Sequence, residues 1–469
     1  MAHKKLYING KWVDSSSQEL LDVINPATEE VIVQVPLANE DDIDSAVSAA
    51  KDAFPEWNAL DVSDRAEYVK KLRDGIEKRI PEFEDAIVEE FGASRSFVKN
   101  AHIPLTINEM DATLEEVKDF PFEEKVENAT VIREGFGVVA AITPWNYPLN
   151  QIQRKLTPAL LAGNTVVVKP ASNTPLTAQL LTEVIDDIGL PAGVFNLITG
   201  SGSKAGNYLA GHNDVDLVSF TGSTSVGEGL YEQASSGIKK LILELGGKSP
   251  NVILPGGDIG YAVAKSLGTV LNNQGQSCTA LTRLIVPKDD FETVKDELLK
   301  QYAEKATKIG DPSDEETVVG PMVSDDQRQT VLDYIKTGKE EGATVLVGDE
   351  PYEGKGYYVT PTIFTDVTND MKIAREEIFG PVLTVLTYDT VEEAIEIAND
   401  SEYGLSGAVV GPKDEAEKVA RQLRTGNIFV NEGPRSAKAP FGGYKQSGIG
   451  RENGAYGIED YCELKAVFL

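Results

Sequence analysis

The sequence predicts an α/β protein built on a doubly wound parallel sheet, with a second α/β region after it and a β-hairpin arm outside both. Three observations carry this. Between residues 138 and 245 short continuous apolar runs alternate with helical segments, the pattern of a parallel sheet covered on both faces. A second alternation of the same kind follows Gly246. Two strand-like stretches, at 120–136 and 464–469, belong to neither series.

Each element has a local reason. Leu6-Tyr-Ile-Asn-Gly-Lys-Trp-Val13 sets Asn9-Gly10 between two short apolar runs, and both residues tolerate positive φ, so a tight hairpin is expected. A helix follows with Ile43, Val47, Ala50 and Phe54 on one face and Asn39 as its N-cap; a second runs from about Asp64 to Arg79 and stops before Pro81. The doubly wound series places strands at 138–142, 166–169, 194–199, 217–220 and 241–245, with Thr174-Pro175 opening one helix between them and Gly189-Leu-Pro191 closing one. This is a nucleotide-binding pattern. After Gly246 a helix from about Asp258 to Asn272 leads to strands near 284–286, 382–386, 407–410 and 428–430, alternating with acidic helices. The stretch 120–136 reads as a charged hairpin turning near Asn128, and 464–469 as a lone strand; strands without a home in either sheet point to an oligomerisation arm.

The 469 residues suffice for two or three domains, and 75 acidic against 44 basic residues give a formal charge of −31. With no cationic excess to displace phosphate counterions, nucleic acid and anionic membrane surfaces are disfavoured as partners. The charge reads as a solvated acidic skin, or as adaptation to high internal salt. Two cysteines, Cys278 and Cys462, make no disulfide framework and fit a reducing cytosol. With only His3, His102 and His212, a Cys/His zinc site is excluded by count unless carboxylates replace nearly every ligand, no metal is expected, and a histidine-based catalytic pair has no motif to occupy. Met1 to Trp12 lacks the apolar core of a signal peptide, and the longest uncharged run, 135–153, is interrupted by Pro144, Asn146 and Pro148, so no membrane span and a cytoplasmic location are expected.

Glycine-rich turns and one cysteine carry the chemistry. Gly200-Ser-Gly202-Ser-Lys-Ala-Gly206 follows a strand, but its spacing departs from the dinucleotide fingerprint. Gly222-Ser-Thr-Ser-Val-Gly227 offers backbone N–H groups at a helix start, where a phosphate is stabilised. Gly246-Gly-Lys-Ser249 lacks the first glycine of a phosphate loop, since Ile242 stands there. Cys278, in Asn272-Asn-Gln-Gly-Gln-Ser-Cys-Thr279, is either a small buried hydrophobe or a nucleophile; its polar neighbours and Gly275 are odd for a core position. With histidine absent, a carboxylate is the remaining base, and Glu244 interrupts the apolar run Leu241-Ile-Leu-Glu-Leu245, where desolvation would raise its pKa. The alternative for Glu244 is a buried salt bridge with Lys248.

Phe220-Thr-Gly-Ser-Thr224, Leu243-Glu-Leu-Gly-Gly-Lys-Ser-Pro250, Gln274-Gly-Gln-Ser-Cys278, Glu377-Ile-Phe-Gly-Pro381, Pro144-Trp-Asn-Tyr-Pro148 and Pro440-Phe-Gly-Gly-Tyr-Lys-Gln-Ser-Gly448 together resemble the aldehyde dehydrogenase superfamily, in its order and over essentially the whole chain. The resemblance implies a Rossmann-like NAD(P)-binding domain from 1–117 and 138–246, a catalytic domain at 247–440, and an oligomerisation arm at 118–137 and 455–469. It implies that Cys278 attacks an aldehyde, that its own N–H and the Asn146 amide hold the oxyanion, and that Glu244 activates water against the thioester. Glutamate at that position favours hydrolysis over transfer to coenzyme A. Lys155 and Glu452 match a second proton relay, although Lys155 could equally be a solvated helix residue.

The resemblance also implies cofactor contacts: Lys169 and Ser172 at the adenosine ribose, Trp145 and Ser223 near the pyrophosphate with Gly222 and Gly227 in the same turn, and Glu377 with Phe379 at the nicotinamide. Ser172 replaces the glutamate of the familiar NAD-using pattern, which would repel a 2′-phosphate, so NADP is expected to serve at least as well as NAD. Arg154 matches an arginine that semialdehyde dehydrogenases turn on a substrate carboxylate, with pairing to a nearby acid or to solvent as the alternative, and Arg435 lies in a loop lining the same tunnel. The expected partners are a small aldehyde, polar or carboxylated, and further copies of the chain in a homodimer or homotetramer. A coenzyme-A-acylating enzyme and a catalytically silent nucleotide-binding relative stand as the other two readings.

Overall fold

Asn9 and Gly10 both take positive φ, 52° and 71°, and join strands Leu6–Ile8 and Lys11–Val13 in the expected two-residue hairpin. The structure, a computed structural model, describes residues 5–235 and 237–469, so His3 and the first residues of the N-terminal stretch lie outside it. Asn39 caps helix Glu40–Asn58 by accepting from Asp42 N, and the Asp42 side chain reaches back to the Asn39 N–H, closing a capping box. The second amphipathic helix, Val62–Lys78, is followed by two that the sequence reading did not separate, Ile80–Phe91 and Ile103–Glu116. A hairpin of Leu20–Asn25 and Glu30–Pro36 was likewise not foreseen.

The doubly wound series forms the centre of an eight-stranded sheet. In spatial order its parallel strands are Phe195–Leu197, Thr165–Lys169, Val138–Ile142, Leu217–Thr221 and Lys240–Glu244. The N-terminal hairpin closes one edge and Gly448–Ile449 the other, both antiparallel. Chain order therefore reads 3-2-1-4-5 across the sheet and reverses between Val138–Ile142 and Leu217–Thr221. Apolar clusters cover both faces, one with Trp57, Leu156 and Leu181, the other with Ile43, Val47 and Leu209, which is why these strands read as apolar runs and not as an apolar–polar alternation.

The second region is a seven-stranded sheet, ordered Thr344–Val347, Thr362–Thr365, Val382–Tyr388, Arg283–Pro287, Pro250–Ile253, Ser406–Val410 and Asn427–Val430. Only the pairing of Thr344–Val347 with its neighbour is antiparallel. Three of these strands were not foreseen: Pro250–Ile253 is four residues long and opens on proline, and Thr344–Val347 and Thr362–Thr365 are equally short. The charged hairpin forms as Glu123–Val126 and Ala129–Gly135, turning at Glu127 and Asn128, and Cys462–Phe468 pairs along the full length of its second strand. The two homeless stretches thus complete each other in a separate three-stranded antiparallel sheet. Among the described residues no helix is long and apolar enough to cross a membrane.

Candidate active site

In open α/β sheets ligands bind beyond the carboxyl ends of the strands, at the point where strand order reverses. Here the chain leaves Val138–Ile142 into Pro144, Trp145 and Asn146, leaves Leu217–Thr221 into Gly222 and Ser223, and leaves Lys240–Glu244 into Leu245 and Gly246. All of these line one cavity of about 290 Å³, together with Cys278, Glu377 and Phe379 from the second region. A second cavity, of about 350 Å³, begins at Thr279 and is lined by Asn427, Phe429, Arg435, Phe441 and Asn453. The Cys278–Thr279 segment thus faces two spaces, one residue to each.

The loop presenting Cys278 is conformationally demanding. Asn273, Gln274 and Gly275 all take left-handed φ, of 56°, 56° and 69°, and non-glycine residues there cost about 1–3 kcal/mol each unless surroundings hold them. Gly275 could bear no side chain, since a Cβ would stand 2.2 Å from the Gly380 carbonyl oxygen; at Gly247 one would stand 2.3 Å from the carbonyl oxygen of Cys278 itself. The turn after Glu244 is therefore pressed directly against the cysteine. Asn146, buried, donates from Nδ2 to the Gln276 carbonyl at 3.2 Å, so one of its two amide hydrogens remains free. Burial, then the charges of Glu377 and Glu244, push the Cys278 thiol up to about 12, while Arg154 pulls it down. The resting group is a thiol that needs a base.

Glu244 ends its strand buried, and neither carboxylate oxygen has a hydrogen-bond partner. Burial, followed by the nearby Glu452 charge, raises its pKa well above the ordinary carboxylate range; Lys155, Arg154 and Arg451 oppose the shift. The salt bridge to Lys248 does not form. The Lys248 ammonium is also buried without a partner, and burial with the neighbouring Arg283 charge lowers it to about 7. Lys155 is fully buried, not a solvated helix residue, and donates to Glu452 Oε1 at 2.9 Å and Thr221 Oγ1 at 2.7 Å.

On the first cavity's outer side Glu377 accepts from Gly247 N at 2.9 Å, and burial raises its carboxyl to about 7. Phe379 takes a left-handed φ of 54°, its carbonyl held by Gln327 Nε2 at 3.0 Å, and its ring meets Trp145 edge-on at 5.3 Å. Ser223 stands at the N-terminus of helix Thr224–Ala234, and its hydroxyl makes no bond to the helix's first amides, which are left for a ligand anion. Gly227 is different: it does not line the cavity, and a Cβ there would lie 2.6 Å from Leu245 Cδ2. Its smallness serves packing of the helix against the end of strand Lys240–Glu244.

Lys169 and Ser172 lie outside this cavity and meet at the turn after Phe195–Leu197, where Lys169 Nζ and Ser172 Oγ donate to the Gly200 carbonyl at 3.3 and 3.1 Å. Burial alone lowers the Lys169 ammonium to about 8. A buried cation bonded only to carbonyls, beside a hydroxyl and at the glycine-rich turn, fits the hydroxyls or phosphate of a nucleotide.

Arg154 takes the alternative that its sequence left open. Its buried guanidinium grips Glu109, Nε at 2.7 Å and Nη2 at 2.6 Å, so it pairs with an acid of its own chain instead of waiting for a substrate carboxylate. Arg435 also reaches Glu109, at 2.8 Å, but is only partly covered and lines the second cavity, with Phe441 beneath its guanidinium. Glu109 further accepts from Asn150 and Gln153. Burial would raise this carboxyl, yet Arg154, Arg435 and the hydrogen bonds together hold it below the ordinary range. Glu109 was absent from the sequence reading; the available signal was one carboxylate among Ile103, Thr106, Ile107, Met110 and Thr113 on the buried face of its helix.

The model of the aldehyde dehydrogenase family matches residues 12–467. A Staphylococcus haemolyticus protein provisionally named an aldehyde dehydrogenase is 46% identical over 469 residues, covering 98% of each chain. Among solved structures, aldehyde dehydrogenase C of Pseudomonas syringae, a cysteine-to-alanine variant complexed with NAD+ and octanal, is 40% identical with a TM-score of 0.97, over 99% of this chain and 96% of that one. The aldehyde dehydrogenase of Mycobacterium tuberculosis complexed with NAD+ is 38% identical with a TM-score of 0.96, over 100% of this chain and 98% of that one.

Proposed function

The chain belongs to the aldehyde dehydrogenase family, and on that premise we propose that it oxidises an aldehyde to the free carboxylic acid, with Cys278 as nucleophile and Glu244 as base. The carrying observation is Glu244 itself: a buried carboxylate, unbonded at both oxygens, whose strand runs on into the cavity wall shared with Cys278. A carboxylate that is poorly solvated and poised high accepts a proton near neutral pH. It first takes the thiol proton, letting Sγ add to the aldehyde carbon. The oxyanion is met by the free hydrogen of Asn146 Nδ2 and the Cys278 N–H. A bound nicotinamide supplies the acceptor for the hydride that turns the thiohemiacetal into a thioester. Glu244 passes the first proton on, Lys155 with Glu452 offering an inner path for it; again a carboxylate, it draws a proton from water attacking the thioester carbon, and Cys278 leaves as thiolate.

Solved relatives carry NAD+, and the residues here fit a dinucleotide: the uncapped helix start at Ser223 beside Gly222 for its phosphates, Glu377, Phe379 and Trp145 around the nicotinamide half, and Lys169 with Ser172 for the adenosine ribose. Without a carboxylate at Ser172 a 2′-phosphate meets Lys169 unopposed, which supports use of NADP as well as NAD. In this reading 1–117 and 138–246 bind the cofactor, 247–440 carry the cysteine, and 118–137 with 455–469 form an arm. On that arm Leu464, Phe468 and Leu469 are 63%, 74% and 84% exposed, which supports assembly into a homodimer or homotetramer. Arg435, the one arginine facing the second cavity with donors to spare, supports a polar or carboxylated aldehyde. The test is a panel of aldehydes with either cofactor, with and without coenzyme A, followed at the absorbance of the reduced nicotinamide. Turnover without the thiol is predicted, and turnover only in its presence would contradict hydrolysis.

A further inference from the structure

His102 lies at the end of a π-helical turn, Val98–His102, buried to 2% exposure and touching neither cavity. Its ring stacks on Tyr147 at 4.4 Å and 24°, and meets Phe97 edge-on at 5.3 Å. Nε2 stands 2.8 Å from Asn273 Oδ1. Asn273 is the first of the three left-handed residues before Cys278, and its Nδ2 donates to the Asn146 carbonyl at 2.9 Å and the Gln276 carbonyl at 3.1 Å. Because that nitrogen is committed to two carbonyls, the end facing the imidazole is oxygen, so Nε2 bears the proton and donates. Burial lowers the ring to about 4, which keeps it a neutral donor of fixed tautomer near pH 7.

The same Gln276 carbonyl accepts from Asn146 Nδ2 at 3.2 Å. Asn273 therefore bonds the backbone of Asn146 and the acceptor that orients the Asn146 side chain. Rotated by half a turn, the Asn273 amide would set its oxygen against both carbonyls and lose both bonds. His102 adds the third bond that holds this orientation, on the oxygen end that the two carbonyls leave free.

We propose that His102 is a positioning residue for the oxyanion site: by donating to Asn273 it fixes the amide that aims Asn146, so attack on a carbonyl depends on it while the reactivity of the thiol does not. This rests on the reading of Cys278 as nucleophile and Asn146 as oxyanion donor. Removing one such donor outright costs roughly 100- to 1,000-fold, so misaiming it is expected to cost about 10- to 100-fold.

Two probes of Cys278 separate positioning from general support of the loop. Iodoacetamide alkylates the thiolate at a saturated carbon and develops no oxyanion. 4-Nitrophenyl acetate acylates it: the S–C bond forms, the ester C–O bond breaks, and 4-nitrophenolate leaves and is counted in a burst. His102→Phe in the full chain is predicted to slow acylation by about 10- to 100-fold and to leave alkylation close to the wild-type rate. His102→Gln, whose amide can donate to Asn273, is predicted to recover most of the acylation rate. Asn273→Asp, which keeps the bond from His102 and loses both donations, should show the same split as His102→Phe and serves if that variant does not fold. Equal slowing of both reactions, or of neither, would overturn the proposal. If Cys278→Ala leaves both reactions of the wild-type protein unchanged, the nucleophile reading fails, and the proposal with it.

Discussion

At the turn proposed to hold the adenosine ribose, Lys169 and Ser172 share the Gly200 carbonyl, and no ion partner offsets the burial that brings Lys169 to about 8. Two unit charges 4 Å apart interact by about 4 kcal/mol at an effective dielectric near 20, so a carboxylate placed there weighs heavily against a 2′-phosphate. Ser172→Glu is therefore expected to shift the ratio of kcat/KM for NADP over NAD by at least about tenfold toward NAD. An unchanged ratio would remove Ser172 from the cofactor assignment. Cys278 and Glu244 stood out as candidates in the sequence because each contradicts its surroundings, a cysteine in a polar loop and an acid in an apolar strand. Glu109 and His102 were not, because their meaning lies in partners distant in sequence: Glu109 in Arg154 and Arg435, His102 in Asn273.

Helix Ile103–Glu116 shows what the sequence concealed at the level of elements. It continues straight from the π-helical turn and has no capping side chain, so Pro104 in its first turn is a start signal without the cap that usually accompanies it. Yet it carries Glu109, the acid between two arginines, one buried and one at the mouth of the second cavity. Removing one partner of a buried ion pair strands the other charge, at a cost of about 3–5 kcal/mol. Glu109→Gln is expected to lower the denaturant midpoint and to free Arg435 for substrate, so KM for an anionic aldehyde should fall relative to that for a neutral aldehyde of similar size. Equal changes in both KM values would show that Arg435 does not meet the substrate. The strands of the doubly wound sheet were readable because burial on both faces makes them mostly apolar runs, whereas Pro250–Ile253 and Thr362–Thr365 are short and open on proline or threonine.

For the whole molecule, a net charge of −31 means that copies of this chain repel one another, so any stable assembly must rely on local apolar contact. Strand Cys462–Phe468 offers that contact at an open edge of the three-stranded sheet, and removal of residues 463–469 is predicted to leave a monomer by light scattering, with Cys278 still alkylated by iodoacetamide. An unchanged mass would place the interface elsewhere. The proposed catalysis is also a property of the whole, since Glu244 and Asn146 come from the first sheet and Cys278 from the region of the second. As the raised carboxyl of Glu244 loses its proton, wild-type turnover should climb with pH above the ordinary carboxylate range. The most direct test of this division of labour is the pre-steady-state time course of reduced nicotinamide in Glu244→Gln. The account predicts a slowed burst of at most one equivalent per Cys278, then a steady rate at least about 100-fold below wild type with no pH-dependent rise. Wild-type steady turnover in that variant would contradict it.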